Sequence, residues 1–99
     1  MAGAPAPPLD LRLYVAGDSA GARRARENLQ RLRTHLPAGS AVEVVDVLVE
    51  PGLAEAAGIL ATPTLSDDGH DPPRRIVGDL SDLDRVMDFF GLAPREAGE

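Results

Sequence analysis

The hydrophobic period of this chain changes twice within residues 9–49, and that change constrains its fold more than any other feature. "LDLRLYV" (9–15) alternates Leu9, Leu11, Leu13 and Val15 with Asp10, Arg12 and Tyr14, the two-residue period of a strand. "GDSAGARRARENLQRLRTHL" (17–36) then offers Asp18 or Ser19 as a helix cap. Ala22, Ala25, Leu29, Leu32 and Leu36 follow at helical spacing as one apolar stripe. "PAG" (37–39) ends the helix, and "VEVVDVLV" (42–49) reads as a second strand. A strand, helix and strand of these lengths close as a right-handed βαβ unit with parallel strands. The nearly continuous valines predict that the second strand is central, with both faces covered. Asp46 interrupts that run, and an acid near a strand end is expected to meet loop or backbone donors. Arg23, Arg24, Arg26, Arg31 and Arg33 lie off the apolar stripe. They read first as a solvated basic face and second as a partner surface.

The second half is locally undecided. "PGLAEAAGIL" (51–60) has Pro51 at a good first helical position. Gly52 and Gly58 weaken so short a helix by up to about 1 kcal/mol each relative to Ala. "TPTLS" and "RRIVG" are short strands by composition. "GDLSDLDRVMDFFGL" (78–92) places Ser81 as a cap with Asp84 three residues on, and Leu83, Val86, Met87 and Phe90 on one face. Its "RVMDFF" would also serve in a strand. Read as written, the order is βαβ followed by αββα, an α/β chain of thioredoxin-like arrangement, βαβαββα. "ILATPTL" (59–65) resembles the stretch that ends in a cis proline in such domains, with Pro63 leading into the third strand. X–Pro bonds adopt cis at a cost of only about 0.5–1 kcal/mol.

Composition removes the chemistry that this turn usually serves. The 99 residues contain no cysteine, which excludes disulfides, thiol redox steps and cysteine metal sites. His35 and His70 are the only imidazoles, far apart in sequence, and are expected at the surface rather than on a metal. Ser19 reads as a cap and not a nucleophile. No catalytic residue, cofactor or metal is therefore expected, and the proline turn is expected to build a binding surface. Residues 1–36 carry a net charge of +3, residues 37–66 carry −4 and residues 67–99 carry −5. This polarity favours a charged partner or self-association. An acidic chain with three aromatics is not expected to bind nucleic acid. One domain over 9–92 is expected, with loose tails at 1–8 and 93–99. "MAGAPAPP" lacks the basic and apolar regions of a signal peptide, and no run approaches a membrane span. A cytoplasmic protein with no membrane role is the expectation.

Three stretches, "LRLYVAGDSAGARRARENLQRL", "VEVVDVLVEPGLAEAAGILATPTL" and "RRIVGDLSDLDRVMDFFGL", resemble the KaiB family over roughly residues 9–92. "LYVAG", "VDVL", "LAE", "ILATPTL" and "GDLS" stand in the family's order and spacing. The resemblance implies a non-enzymatic regulatory protein of a Kai clock or timer. Such proteins dock on the N-terminal ATPase ring of the hexameric ATPase KaiC and alter its ATPase and phosphorylation cycle. It also implies two folds. The binding state is the thioredoxin-like monomer βαβαββα, and the ground state is a self-associated dimer or tetramer ordered βαββααβ. Residues 9–50 would be constant and 51–92 would switch. Pro63, Pro72 and Pro73 would belong to a slow gate, because proline isomerisation takes tens to hundreds of seconds. Phe89 and Gly91 stand where Gly and Asp are common in the family; Phe89 removes part of a helical glycine's entropic penalty, which would favour the thioredoxin-like state. Arg23, Glu55, Arg74, Arg75 and Asp79 are the candidate ionic contacts to the partner. For Arg74, Arg75 and Asp79 the alternative is a local ion-pair cluster. Glu43, Gly58 and Asp67 stand where the family often carries basic residues, and the linker "SDDGHDPP" (66–73) is acidic, so a partner with matching charge changes is expected. The alternatives are a signalling or stress-response adaptor without KaiC, or a thioredoxin-like transferase.

Overall fold

The computed structural model describes residues 7–92; the expected tail at 93–99 and all but the last two residues of the one expected at 1–8 lie outside the described residues. The element order is β1 (Asp10–Val15), α1 (Ala20–Arg33), β2 (Ala41–Asp46), α2 (Pro51–Ala57), β3 (Thr64–Asp67), β4 (Arg74–Val77) and α3 (Leu83–Phe89). This is the βαβαββα order expected of a thioredoxin-like chain. The four strands form one sheet in the order β2-β1-β3-β4. β2 runs parallel to β1, while β3 is antiparallel to β1 and β4 to β3.

The βαβ unit forms for the reasons its pattern gives. Ser19 is extended, and its hydroxyl accepts the backbone N–H of Ala22 at 3.1 Å, which caps α1. The α1 stripe buries Ala22, Ala25, Leu29 and Leu32 against Leu11, Leu13 and Val15 of β1. Each leucine so buried contributes about 1.5–3 kcal/mol by apolar transfer. α3 adds Val86 and Met87 to the same core, and Phe90 follows just past its end. The sheet thus has an inner face under α1 and α3.

Four local expectations are corrected. β2 is an edge strand, not a central one; Val44 is 39% exposed, and Leu48 and Val49 project from the turn beyond it. The central strand is β1, whose outward residue Tyr14 is fully buried between Val45 and Thr64. Gly58 does not weaken α2 from within. It ends the helix at φ 71°, the left-handed position where glycine has no steric cost. Asp82, not Ser81, caps α3 by accepting the N–H of Arg85 at 3.2 Å; the Ser81 N–H is already donated to Asp79. Finally, Ser66 and Asp67 are buried strand residues rather than the start of an acidic linker.

Candidate interaction face

One proline turn leads into β3, and a second lies in the connection from β3 to β4. The Thr62–Pro63 peptide is cis, as is Asp71–Pro72. The Pro63 carbonyl accepts the N–H of Gly78, and Thr64 returns its hydroxyl to the carbonyl of Ala61 at 2.7 Å. The Pro63 ring lies against the first turn of α1, where a methyl group at Gly21 would meet it at 3.8 Å. On the other side, Asp46 closes the β2 end onto the β1–α1 turn. Its carboxylate accepts the backbone N–H groups of Gly17 at 2.9 Å and Leu48 at 3.0 Å. Those two bonds hold its carboxyl below the usual carboxylate range. Asp46 is therefore a backbone-satisfied acid of the kind expected.

Beside the Thr62–Pro63 turn and the Asp46 turn stand large exposed apolar side chains. Leu48 is 71% exposed, Val49 74% and Leu60 99%. Val47, Ala54, Ile59, Leu60 and Ala61 line a shallow groove of about 320 Å³ that runs to Thr62. α2 buries none of its residues. A face of this kind, with large apolar side chains standing in water, is where a soluble chain meets a partner. No group of His, Asp or Glu among the described residues is arranged to hold a metal. The Ser19 hydroxyl is occupied as a cap.

The candidate ionic residues are dispersed over the molecule. Glu55 is exposed on α2, next to the apolar surface. Arg23 is exposed at the start of α1 and lies 3.8 Å from Asp18. Arg74, Arg75 and Asp79 do not form the local cluster considered as their alternative role. Arg74 binds Asp67 at 2.6 Å, and its guanidinium sits 5.6 Å from the Phe90 ring centre. Arg75 donates to the Ser66 hydroxyl at 3.1 Å. Asp79 takes the Nε–H of Arg24 at 2.9 Å and the N–H of Ser81, and these bonds hold its carboxyl below the usual range. The register explains the separation, since Arg74 faces Asp67 and Arg75 faces Ser66 across β3 and β4. Of the switch candidates, Phe89 closes α3 with 42% exposure, and Gly91 follows at φ 72°. Pro73 is exposed just before β4. His70 is on the surface, 3.5 Å from Asp67, whereas His35 is half-buried.

Residue patterns alone missed the residues that make this face. Leu48 and Val49 read as part of a buried strand, and Leu60 as the end of a helix. One available signal was the loop context of Leu60, an isolated large apolar side chain between a helix-ending glycine and a Thr-Pro turn. A family model described as the KaiB domain matches residues 12–91. The circadian clock oscillator protein KaiB of Synechococcus sp. (strain CC9311) is 50% identical over 78 residues, covering 78% of this chain and 66% of that protein. The protein of that name from Synechococcus sp. (strain RCC307) is 46% identical over 90 residues, covering 90% of this chain and 82% of its own length. The one from Nostoc punctiforme is 44% identical over 90 residues, covering 90% and 86%. Among solved structures, the N-terminal domain of Synechococcus elongatus SasA superposes with a TM-score of 0.62 at 21% identity, over 100% of this chain and 95% of that one. A designed protein superposes at 0.68 with 20% identity, over 85% and 74%. At those identities the structures speak for the thioredoxin-like fold alone. The family match and the curated relatives go further, and the chain belongs to the KaiB family.

Proposed function

We propose that this protein is a non-enzymatic regulator in a Kai clock or timer, and that it docks on a KaiC-type hexameric ATPase through the apolar face around α2. The observation that carries this reading is that face itself. Leu48, Val49 and Leu60 stand in water beside a helix that contributes nothing to the core. Covering them on a partner removes apolar area from solvent at about 25 cal/mol per Å² before the costs of association. Glu55, exposed on α2, would serve as a charged rim contact, which sets register and encounter rate more than affinity.

The reading includes a second architecture. Residues 51–92 supply two four-residue strands and two seven-residue helices, and "RVMDFF" suits a strand as well as a helix. A state competent at about 1% would weaken apparent affinity about 100-fold and delay capture, a property useful in a timer. The ground state in this proposal is a self-associated form ordered βαββααβ. Size-exclusion chromatography of the full chain with its host's KaiC-type ATPase, in ADP and in ATP, tests the reading. Comigration that depends on the nucleotide is expected. Separate elution in both nucleotides after a day's incubation moves the assignment to an adaptor that works without that ATPase.

A further inference from the structure

The outer face of the sheet is organised in rows. Register places Glu43, Arg12, Ser66 and Arg75 side by side, and Val45, Tyr14, Thr64 and Val77 in the next row. Between α2 and this face lies an open groove of about 480 Å³, with Leu53, Ala56 and Ala57 on one side and Arg12, Tyr14, Asp68 and Arg75 on the other. That volume lies in the range of small-molecule sites, roughly 300–1,000 Å³.

Two polar groups on the sheet side are not accounted for by the fold. Tyr14 is fully buried, and its hydroxyl has no hydrogen-bond partner among the described residues. A buried phenol ordinarily finds one. Arg12 is its polar neighbour, and the Tyr14 oxygen is the main cause that holds the guanidinium charged; a guanidinium can only donate, so the phenolic proton is left without an acceptor. The second group is Arg75. Its Nε–H is spent on Ser66, and none of the ion pairs among the described residues involves it. The other charges are matched. Arg12 meets Glu43 at 3.1 Å and Asp68 at 3.9 Å, and Asp68 takes the Ser66 hydroxyl at 2.7 Å. One guanidinium fork and one phenol therefore remain open under an apolar wall.

We propose that this groove binds a small amphipathic monocarboxylate. The carboxylate engages the free edge of the Arg75 guanidinium and receives the Tyr14 hydroxyl, while its hydrocarbon part lies against Leu53, Ala56 and Ala57. The planar fork of arginine suits a carboxylate. Asp68 sets the charge limit: it leaves room for one negative charge and disfavours a dianion such as phosphate. The inference does not rest on the docking reading, because it needs no ATPase.

The chain has one tyrosine and no tryptophan, so its intrinsic fluorescence reports on Tyr14 alone. Titration of the full chain with hexanoate is expected to give a saturable change, absent with methyl hexanoate. Arg75→Gln is expected to weaken binding at least tenfold. Arg75→Lys, which keeps the charge and loses the fork, is expected to fall between, at an unchanged melting temperature. In Tyr14→Phe, followed by amide chemical shifts instead of fluorescence, hexanoate affinity is expected to drop as well. A response to hexanoate no different from that to chloride overturns the site, as does undiminished binding by Arg75→Gln. Inorganic phosphate bound as tightly as hexanoate overturns the role given to the α2 wall and to Asp68.

Discussion

Residues 9–50 and 51–92 are held by different forces. In the first region, six-residue β1 and β2 pair in full register, and α1 lays four buried residues on the sheet. In the second, β3 and β4 are four residues each, α2 buries nothing and α3 buries two. Polar contacts take up part of the difference. Asp67 binds Arg74, Arg74 lies over Phe90, and Asp79 reaches back to Arg24 and Asn28 of α1. Apolar burial is insensitive to pH and cannot be rearranged cheaply, whereas ion pairs and short strands respond to solution conditions. In the proposed second architecture, residues 51–92 are the region whose rearrangement would break fewer full-length strand pairings.

The largest effect should come from breaking the first region. Leu29→Ala removes a side chain that is 1% exposed in the α1 stripe and should cost about 2–5 kcal/mol. Urea denaturation should show the midpoint fall with an unchanged slope. A loss below about 1 kcal/mol would mean that the first region is no better packed than the second, and the contrast would fail.

Asp67→Asn comes next, because it strikes the main polar tie of the second region. The Asp67 side chain is 1% exposed and that of Arg74 31%. Partial exposure of the arginine lowers the cost from that of a fully buried pair to about 1–3 kcal/mol. Burial pushes the Asp67 carboxyl up, but hydrogen bonds from Arg74 and from the backbone N–H groups of Gly69 and Asp10 outweigh it. Its folded pKa thus lies below its unfolded one. The pair's stabilisation is complete above the unfolded value, about 3.9, and is lost as pH falls through the folded value. Thermal melts of the parent should therefore drop on acidification below about pH 4, and Asp67→Asn should flatten that limb. An identical acid limb in both proteins would remove Asp67 from the account.

The two regions also differed in how much their residues disclosed. Between residues 9 and 36 the change of period set strand, helix and cap, because one buried stripe per element leaves few arrangements. The identity of the central strand escaped, since valine content reports hydrophobicity and not neighbours. The alternation showed a strand but not that Tyr14, on its other face, is fully buried between two flanking strands. Past residue 50 the elements are too short for periodicity to decide between helix and strand. Asp67 read as linker because its partner is seven residues away across a hairpin. The proline turn at 62–63 was legible by motif, but the apolar face beside it was not, as exposure belongs to the fold.

Ser19→Ala sharpens the comparison at a smaller scale. It deletes the side-chain N-cap of α1 and should cost about 1 kcal/mol. Because α1 carries the core, amide exchange should rise through the whole βαβ region and not only in the first turn. Exchange confined to residues 19–23 would show that the stripe holds without its cap.

Leu60→Ser should have the smallest effect on stability and the most selective one on function. The side chain is 99% exposed, so the substitution should change the unfolding free energy by no more than about 0.5 kcal/mol. If the second region is organised for contact, the same change should weaken comigration with the KaiC-type ATPase severalfold at equal melting temperature. The first region offers the control: Arg31→Ser on the exposed side of α1 should alter neither quantity. A Leu60→Ser protein that melts early would place Leu60 in a packed element, and one that comigrates unchanged would move the docking face away from the Pro63 turn.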